Sequence, residues 1–149
     1  RARQSKAADG AAELAQRVTE ADGIRYEIVS QLVNNNKAFI EGLTYVNGLI
    51  YESTGLYGHS SVRTLDPETG HGVQLFPVSK KYFGEGLAYA NGKFYQLTYK
   101  SQIGFIYDAA DLSKDPQKFN YSSTTNEGYG LTFDAGKQEF IESDGSEYL

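Results

Sequence analysis

Several residue types are missing or scarce in this sequence, and each absence excludes a kind of chemistry. The 149 residues include no cysteine, methionine or tryptophan, only three prolines and only two histidines. Without cysteine the chain can form no disulfide, thiol nucleophile or thiolate metal site. The histidines His59 and His71 are isolated and do not provide the ligand set of a zinc site, so we expect no metal ion and no cofactor.

Charge and hydrophobicity exclude two further classes of protein. The net charge of −5 and the pI of about 5.0 argue against a nucleic-acid binder, which needs a basic face. No apolar run approaches the length of a membrane span. The absence of methionine indicates a processed or incomplete N-terminus, which leaves a secretory or organelle-lumen location open.

Residues 1–23 differ in composition from the rest and are expected to form an N-terminal arm. Basic residues come first, and an alanine-rich stretch follows. Asp9 could cap a short helix that Gly23 would end, because apolar residues between them recur at helical spacing. A disordered terminus is equally compatible with this pattern.

An internal repeat dominates residues 24–149. Three segments share a glycine, a leucine, an aromatic residue and a turn pair in register. They are EGLTYVNGLIYEST from Glu41, EGLAYANGKFYQLT from Glu85 and YGLTFDAGKQEFIES from Tyr129. Their glycines, Gly42, Gly86 and Gly130, are 44 residues apart. A period of this length is typical of one blade of a β-propeller.

Each copy predicts a β-hairpin. Asn47-Gly48 and Asn91-Gly92 are strong hairpin turns because both central residues accept positive φ, and Ala135-Gly136 occupies the same place in the third copy. Further turn signals, such as Asp66-Pro67, predict roughly four strands in each period. We therefore predict an all-β fold, a partial propeller over 24–149 with repeats starting near 41, 85 and 129.

The number of repeats predicts an incomplete ring. Propellers close with four to eight blades, and this chain supplies about two and a half to three. Open blade faces would expose apolar side chains, so residues 1–149 alone are not expected to be a stable soluble monomer. Either more sequence follows Leu149 or other protein subunits cover the open faces.

Several motifs in order resemble those of the plant and bacterial glutaminyl-peptide cyclotransferase family. They are AFIEGL at 38–43, ESTGLYGHSSVR at 52–63, YFGEGL at 82–87, GFIYD at 104–108, EGYGLT at 127–132 and SDGS at 143–146. The resemblance covers about Tyr26 to Leu149 and corresponds to the N-terminal part of the family. It implies a five-bladed, metal-independent propeller that converts the N-terminal Gln of peptides or proteins to pyroglutamate, with release of ammonia.

The resemblance also implies site residues on the propeller axis. Glu85, in the FGEG sequence, matches the catalytic glutamate of the family, which transfers protons. The expected substrate-binding residues are Phe39, Glu41, Phe83, Tyr99 and Tyr129. Aromatic walls would hold the glutamine folded back on itself and exclude water.

The chain departs from the family at three of these positions. Tyr99 and Tyr129 stand where the family usually has tryptophan, and Glu41 stands where it usually has glutamine. A second carboxylate beside Glu85 would raise the pKa of one of the pair. Later blades that supply an asparagine, a further tryptophan and a lysine to the family's site are absent from this chain. The alternatives are therefore a non-catalytic propeller that acts as a structural or interaction subunit of an assembly, and a sugar- or peptide-binding propeller.

Overall fold

The structure, a computed structural model, describes residues 18–21 and 23–149, and the chain forms two compact units, residues 1–33 and 34–149. In the first unit, strands β1 (Val18–Ala21) and β2 (Ile24–Glu27) form an antiparallel hairpin in which Val18 lies opposite Glu27. Among the described residues there is no helix that is long and apolar enough to cross a membrane.

The predicted helix of the N-terminal arm is wrong at its C-terminal end. Val18–Ala21 is a strand, because β-branched Val18 and Thr19 favour extended backbone and Gly23, with a φ of 76°, supplies the turn to β2. The rest of the arm, residues 1–17 and 22, lies outside the described residues. The proposed domain boundary after residue 23 stays a prediction.

Residues 34–149 form two four-stranded antiparallel sheets and a hairpin. The first sheet has the order β3 (Ile40–Val46), β4 (Leu49–Thr54), β5 (Ser61–Leu65) and β6 (Gly72–Pro77). The second sheet has the order β7 (Gly84–Ala90), β8 (Lys93–Thr98), β9 (Ile103–Asp108) and β10 (Gln117–Asn120). The hairpin joins β11 (Leu131–Asp134) to β12 (Glu139–Glu142). This confirms the predicted all-β arrangement of two four-stranded blades and the start of a third.

The turns follow the sequence prediction in the first two blades and depart from it in the third. Asn47-Gly48 and Asn91-Gly92 both have positive φ at each residue, as a two-residue hairpin turn requires. In the third blade the turn is longer and spans residues 135–138, with Gln138 in the left-handed region at a φ of 58°. Gly136 therefore does not have the predicted role of a glycine at positive φ.

The main core lies between the two four-stranded sheets. Tyr51 of β4 packs against Phe94 of β8 with ring centroids 4.2 Å apart, and Val62 of β5 is fully buried. The fully buried Gln96 adds a polar connection: its Nε2 donates to Ser53 Oγ at 2.7 Å, and its Oε1 accepts from the Tyr107 hydroxyl at 2.7 Å. Apolar packing and a satisfied polar group thus fix one sheet against the other.

A buried ion pair lies within the first sheet. The Arg63 guanidinium donates to Glu52 Oε1 at 2.5 Å, and Glu52 is 0% exposed. Asn34 completes the group, because its Nδ2 donates to Glu52 Oε2 and its Oδ1 accepts from Arg63. Since Glu52 and Arg63 are directly opposite each other in β4 and β5, the pair also fixes the register of these strands.

The same face of the first sheet exposes apolar side chains. Leu43 of β3, Tyr45 of β3 and Leu75 of β6 are 60%, 66% and 60% exposed. Strand register places them on the face that carries Glu52 and Arg63, opposite the face that packs on the second sheet. Exposed side chains of this size on one face are the open blade surface that the sequence predicts.

The repeat glycines allow the first strands of the blades to approach each other. A Cβ at Gly42 would lie 2.7 Å from the backbone nitrogen of Leu87, and a Cβ at Gly86 would lie 2.4 Å from the carbonyl oxygen of Tyr129. The Gly86 amide donates to that same oxygen at 2.7 Å. Only glycine fits these positions, because the neighbouring atoms belong to backbone that has no freedom to move aside.

Replacement of Gly86 should therefore destabilise the protein. We expect Gly86→Ala to lower the free energy of unfolding by about 1–3 kcal/mol, since the added methyl group meets backbone atoms. Gly72→Ala is the matched control, because a Cβ at Gly72 meets nothing within 4 Å. Denaturant titration of both variants measures the difference. Equal stabilities would contradict the close approach of β7 and the residues before β11.

Candidate functional site

Corresponding positions of the three repeats place the chemically active side chains together. The residue before the repeat glycine is Glu41 in the first copy, Glu85 in the second and Tyr129 in the third. The glycine contacts bring the backbones of these copies together in succession, first to second and second to third. Side chains that are 44 residues apart in sequence therefore become neighbours.

Glu41 and Glu85 form a pair of neighbouring carboxyl groups, since each affects the pKa of the other. Glu85 is only 4% exposed, and Glu41 is half-buried. Burial, then the charge of Glu41 and its hydrogen bond, raise the pKa of Glu85 to about 8. Burial also raises the pKa of Glu41, while its hydrogen bond with Glu85 acts in the opposite direction. At neutral pH the pair retains a proton that two exposed glutamates would lose.

An aromatic chain centred on Phe83 lies beside this pair in sequence and in space. The Phe83 ring contacts Phe39, Tyr57 and Tyr99 at centroid distances of 6.0, 5.6 and 5.9 Å. Tyr99 continues the chain to Tyr129 at 5.6 Å. Phe39 and Tyr57 are 50% and 56% exposed, so these rings present an apolar surface that solvent reaches.

Gly55 makes room for the central ring. A Cβ at Gly55 would lie 2.2 Å from Cε1 of Phe83. Gly55 also occupies the place that Tyr99 has in the second blade: its amide donates to the Phe39 carbonyl at 2.7 Å, as the Tyr99 amide donates to the Phe83 carbonyl at 3.1 Å. The first blade thus lacks a side chain where the second has Tyr99, and Phe83 fills the space.

Charged groups border the tyrosine end of the aromatic chain. The Tyr129 hydroxyl donates to Glu127 Oε2 at 2.6 Å, and the Lys100 ammonium lies 3.0 Å from Glu127 Oε1. The same ammonium lies 4.6 Å from the centroid of the Tyr99 ring. Hydrogen bonds from Tyr129 and Lys100 lower the pKa of the Glu127 carboxyl group. The hydrogen bonds of Tyr129 with Glu127 and Tyr99 raise the pKa of the Tyr129 phenol. These groups hold both phenol rings in place.

The structure brings together all the residues that the sequence singles out. Glu41 and Glu85 form the carboxyl pair, and Phe39, Phe83, Tyr99 and Tyr129 belong to the aromatic chain. The hydrogen bond from the Gly86 amide to the Tyr129 carbonyl connects the two groups. Their roles in binding and catalysis stay predictions.

Sequence reasoning missed three residues of this region: Tyr57, Lys100 and Glu127. Tyr57 lies in the ESTGLYGHSSVR motif, and its flanking residues Leu56 and Gly58 both have positive φ, so a tight turn presents its ring. The repeat could have identified Glu127, because Glu127 holds the position in the third copy that Phe39 and Phe83 hold in the first two. No comparable signal identified Lys100.

Two other features lie apart from the carboxyl pair. Within residues 18–21 and 23–149 no group of three or more metal-ligating side chains could hold a metal ion. An apolar cavity of about 380 Å³ lies between the second sheet and the β11–β12 hairpin, lined by residues such as Leu97, Phe119 and Phe140. Glu85 does not line this cavity.

Comparisons with known proteins agree with this arrangement. The glutaminyl-peptide cyclotransferase of Arabidopsis thaliana is 38% identical over 125 residues, which are 83% of this chain and 37% of that protein. The crystal structure of the Myxococcus xanthus glutaminyl cyclase matches with a TM-score of 0.63 and 28% identity, over 76% of this chain and 45% of that one.

The chain spans less than half the length of both relatives, 37% of one and 45% of the other. The family model for glutamine cyclotransferase matches residues 3–149, which is nearly the whole chain. The chain therefore belongs to the glutamine cyclotransferase family.

Proposed function

We propose that the protein is a glutaminyl-peptide cyclotransferase, which converts the N-terminal Gln of a peptide or protein to pyroglutamate and releases ammonia. The observation that carries this proposal is the buried Glu41–Glu85 carboxyl pair beside the aromatic chain. Family membership and the names of the two relatives support the same reaction.

The reaction requires proton transfer at two nitrogen atoms. The neutral α-amine of the substrate attacks its own γ-carboxamide carbon and loses a proton, and the leaving nitrogen gains one to depart as ammonia. Glu85 is suited to both transfers, because its pKa of about 8 allows it to exist as acid and as carboxylate near neutral pH.

The aromatic chain would contribute by holding the substrate. Ring closure is intramolecular, so its rate depends on keeping the glutamine side chain folded back toward the α-amine. Phe83, with Phe39, Tyr57 and Tyr99 around it, provides a continuous apolar surface for the methylene groups of that side chain.

Replacement of Glu85 tests the proposal directly. In the native protein that carries this chain, Glu85→Gln should reduce kcat for a Gln-initiated peptide by on the order of 10²-fold or more, because the amide neither accepts nor donates the transferred proton in the same way. Ammonia release measures the rate, and calorimetry with the same peptide should show that binding persists.

Glu68→Gln is the control for this substitution, since Glu68 is an exposed glutamate in the β5–β6 turn. Near-normal turnover by Glu85→Gln would show that Glu41 or another group moves the proton. No turnover by the folded, native wild-type protein would instead favour a structural or interaction subunit.

Replacement of Gly55 tests the role of the aromatic chain. Gly55→Ala should displace the Phe83 ring and reduce kcat/KM for a Gln-initiated peptide about tenfold, because a poorly placed wall no longer holds the reactive conformation. Gly72→Ala, where the added methyl group meets nothing within 4 Å, should leave kcat/KM unchanged. A folded Gly55→Ala variant with unaltered kcat/KM would contradict a substrate-binding role for Phe83.

A further inference from the structure

Glu41 is placed to act on Glu85. It precedes Gly42 as Glu85 precedes Gly86, and Gly42 lets β3 approach the backbone of Leu87 in β7 so closely that a Cβ would lie 2.7 Å from the Leu87 nitrogen. The two carboxyl groups are close enough for each to affect the pKa of the other. A carboxyl–carboxyl hydrogen bond requires one protonated partner, because two carboxylates offer only acceptors.

We propose that Glu41 is a positioning residue that shares one proton with Glu85 and thereby fixes the protonation state of Glu85 at neutral pH. The catalytic role of Glu41 in this proposal rests on the proposed cyclisation. The shared proton does not, because it follows from the placement of the two carboxyl groups. Coupled carboxyl groups lose their protons in two separate steps that belong to the pair.

Two phenols of the described residues near Glu85 do not replace Glu41 in this role. Tyr121 follows β10 and feels the charge of Glu85, and Tyr129 precedes β11 beside Gly86. Burial, then the charges of Glu142 and Glu85, raise the pKa of Tyr121 to about 12, so this phenol is neutral at pH 7. The Lys100 cation is engaged by Glu127 at 3.0 Å.

A singly protonated pair suits the balance of the reaction. One carboxylate oxygen is available to accept the proton that the α-nitrogen loses as it bonds to the carboxamide carbon. The shared proton is available for the leaving nitrogen as its bond to that carbon breaks and ammonia departs. The pair finishes with one proton, as it began, so each turnover needs no proton from solvent.

Carboxyl titration tests the shared proton without any need for turnover. In protein labelled with ¹³C at the glutamate carboxyl carbons, Glu41→Gln and Glu85→Gln identify the two signals, because each variant lacks one. The wild type should show both signals changing together in two steps, the upper one near pH 8. Glu41→Gln should leave one step for Glu85, about one pH unit or more lower, because the like charge is gone.

The reciprocal variant keeps the test decisive if Glu41→Gln does not fold. In Glu85→Gln, Glu41 should titrate in a single step, and the step near pH 8 should be absent. Glu68→Gln should retain the wild-type curves. A Glu85 titration that is unchanged in Glu41→Gln, or two independent single steps in the wild type, would overturn the proposal whether or not the protein cyclises glutamine.

Protein stability provides a second readout of the pair. The pKa of Glu85 in the folded protein, about 8, lies above its ordinary value of 4.5, so between these values the folded state binds more protons than the unfolded state. The free energy of unfolding should therefore fall as pH rises from about 5 to about 8. Glu41→Gln should make this fall shallower, and Glu68→Gln should not. An equal fall in both variants would contradict the coupling.

Discussion

The close approach of the first strands of successive blades is the constraint on which the rest of this structure depends. Gly42 and Gly86 carry no side chain, and the backbone of the following blade occupies the space where a Cβ would lie. The residues that precede these glycines are consequently forced together. A carboxyl pair and a string of aromatic rings form at one place, although their members come from segments that are 44 residues apart.

Burial at this place gives the carboxyl groups properties that exposed glutamates do not have. Removal from water disfavours the charged form of Glu85, and a neighbouring carboxyl group adds to the effect. The buried Glu52 of the first sheet differs, because the Arg63 guanidinium compensates its negative charge. For Glu85, burial and the neighbouring Glu41 instead favour the protonated form, which is a cost to stability that a catalytic role would explain.

The repeat allowed the sequence to predict much of the fold and much of the site. Glycine spacing and the Asn-Gly turns predicted the hairpins and the four-stranded blades, because these signals depend on local backbone geometry. The third turn was misjudged, since Gln138 rather than Gly136 adopts positive φ. Tyr57 was missed because tertiary packing alone brings its ring to Phe83, and Lys100 because its partner Glu127 is distant in sequence. The helix predicted to end at Gly23 failed where strand pairing outweighed weak helical periodicity.

The central claim is that the carboxyl pair and the aromatic chain form one site for an N-terminal glutamine. A crystal structure of the native protein carrying Glu85→Gln, with a Gln-initiated peptide bound, tests it most directly. The account predicts the glutamine methylene groups against Phe83 and the γ-carboxamide within hydrogen-bond distance of the side chain at position 85. A peptide bound elsewhere, or with its carboxamide out of reach of that side chain and of Glu41, would contradict it.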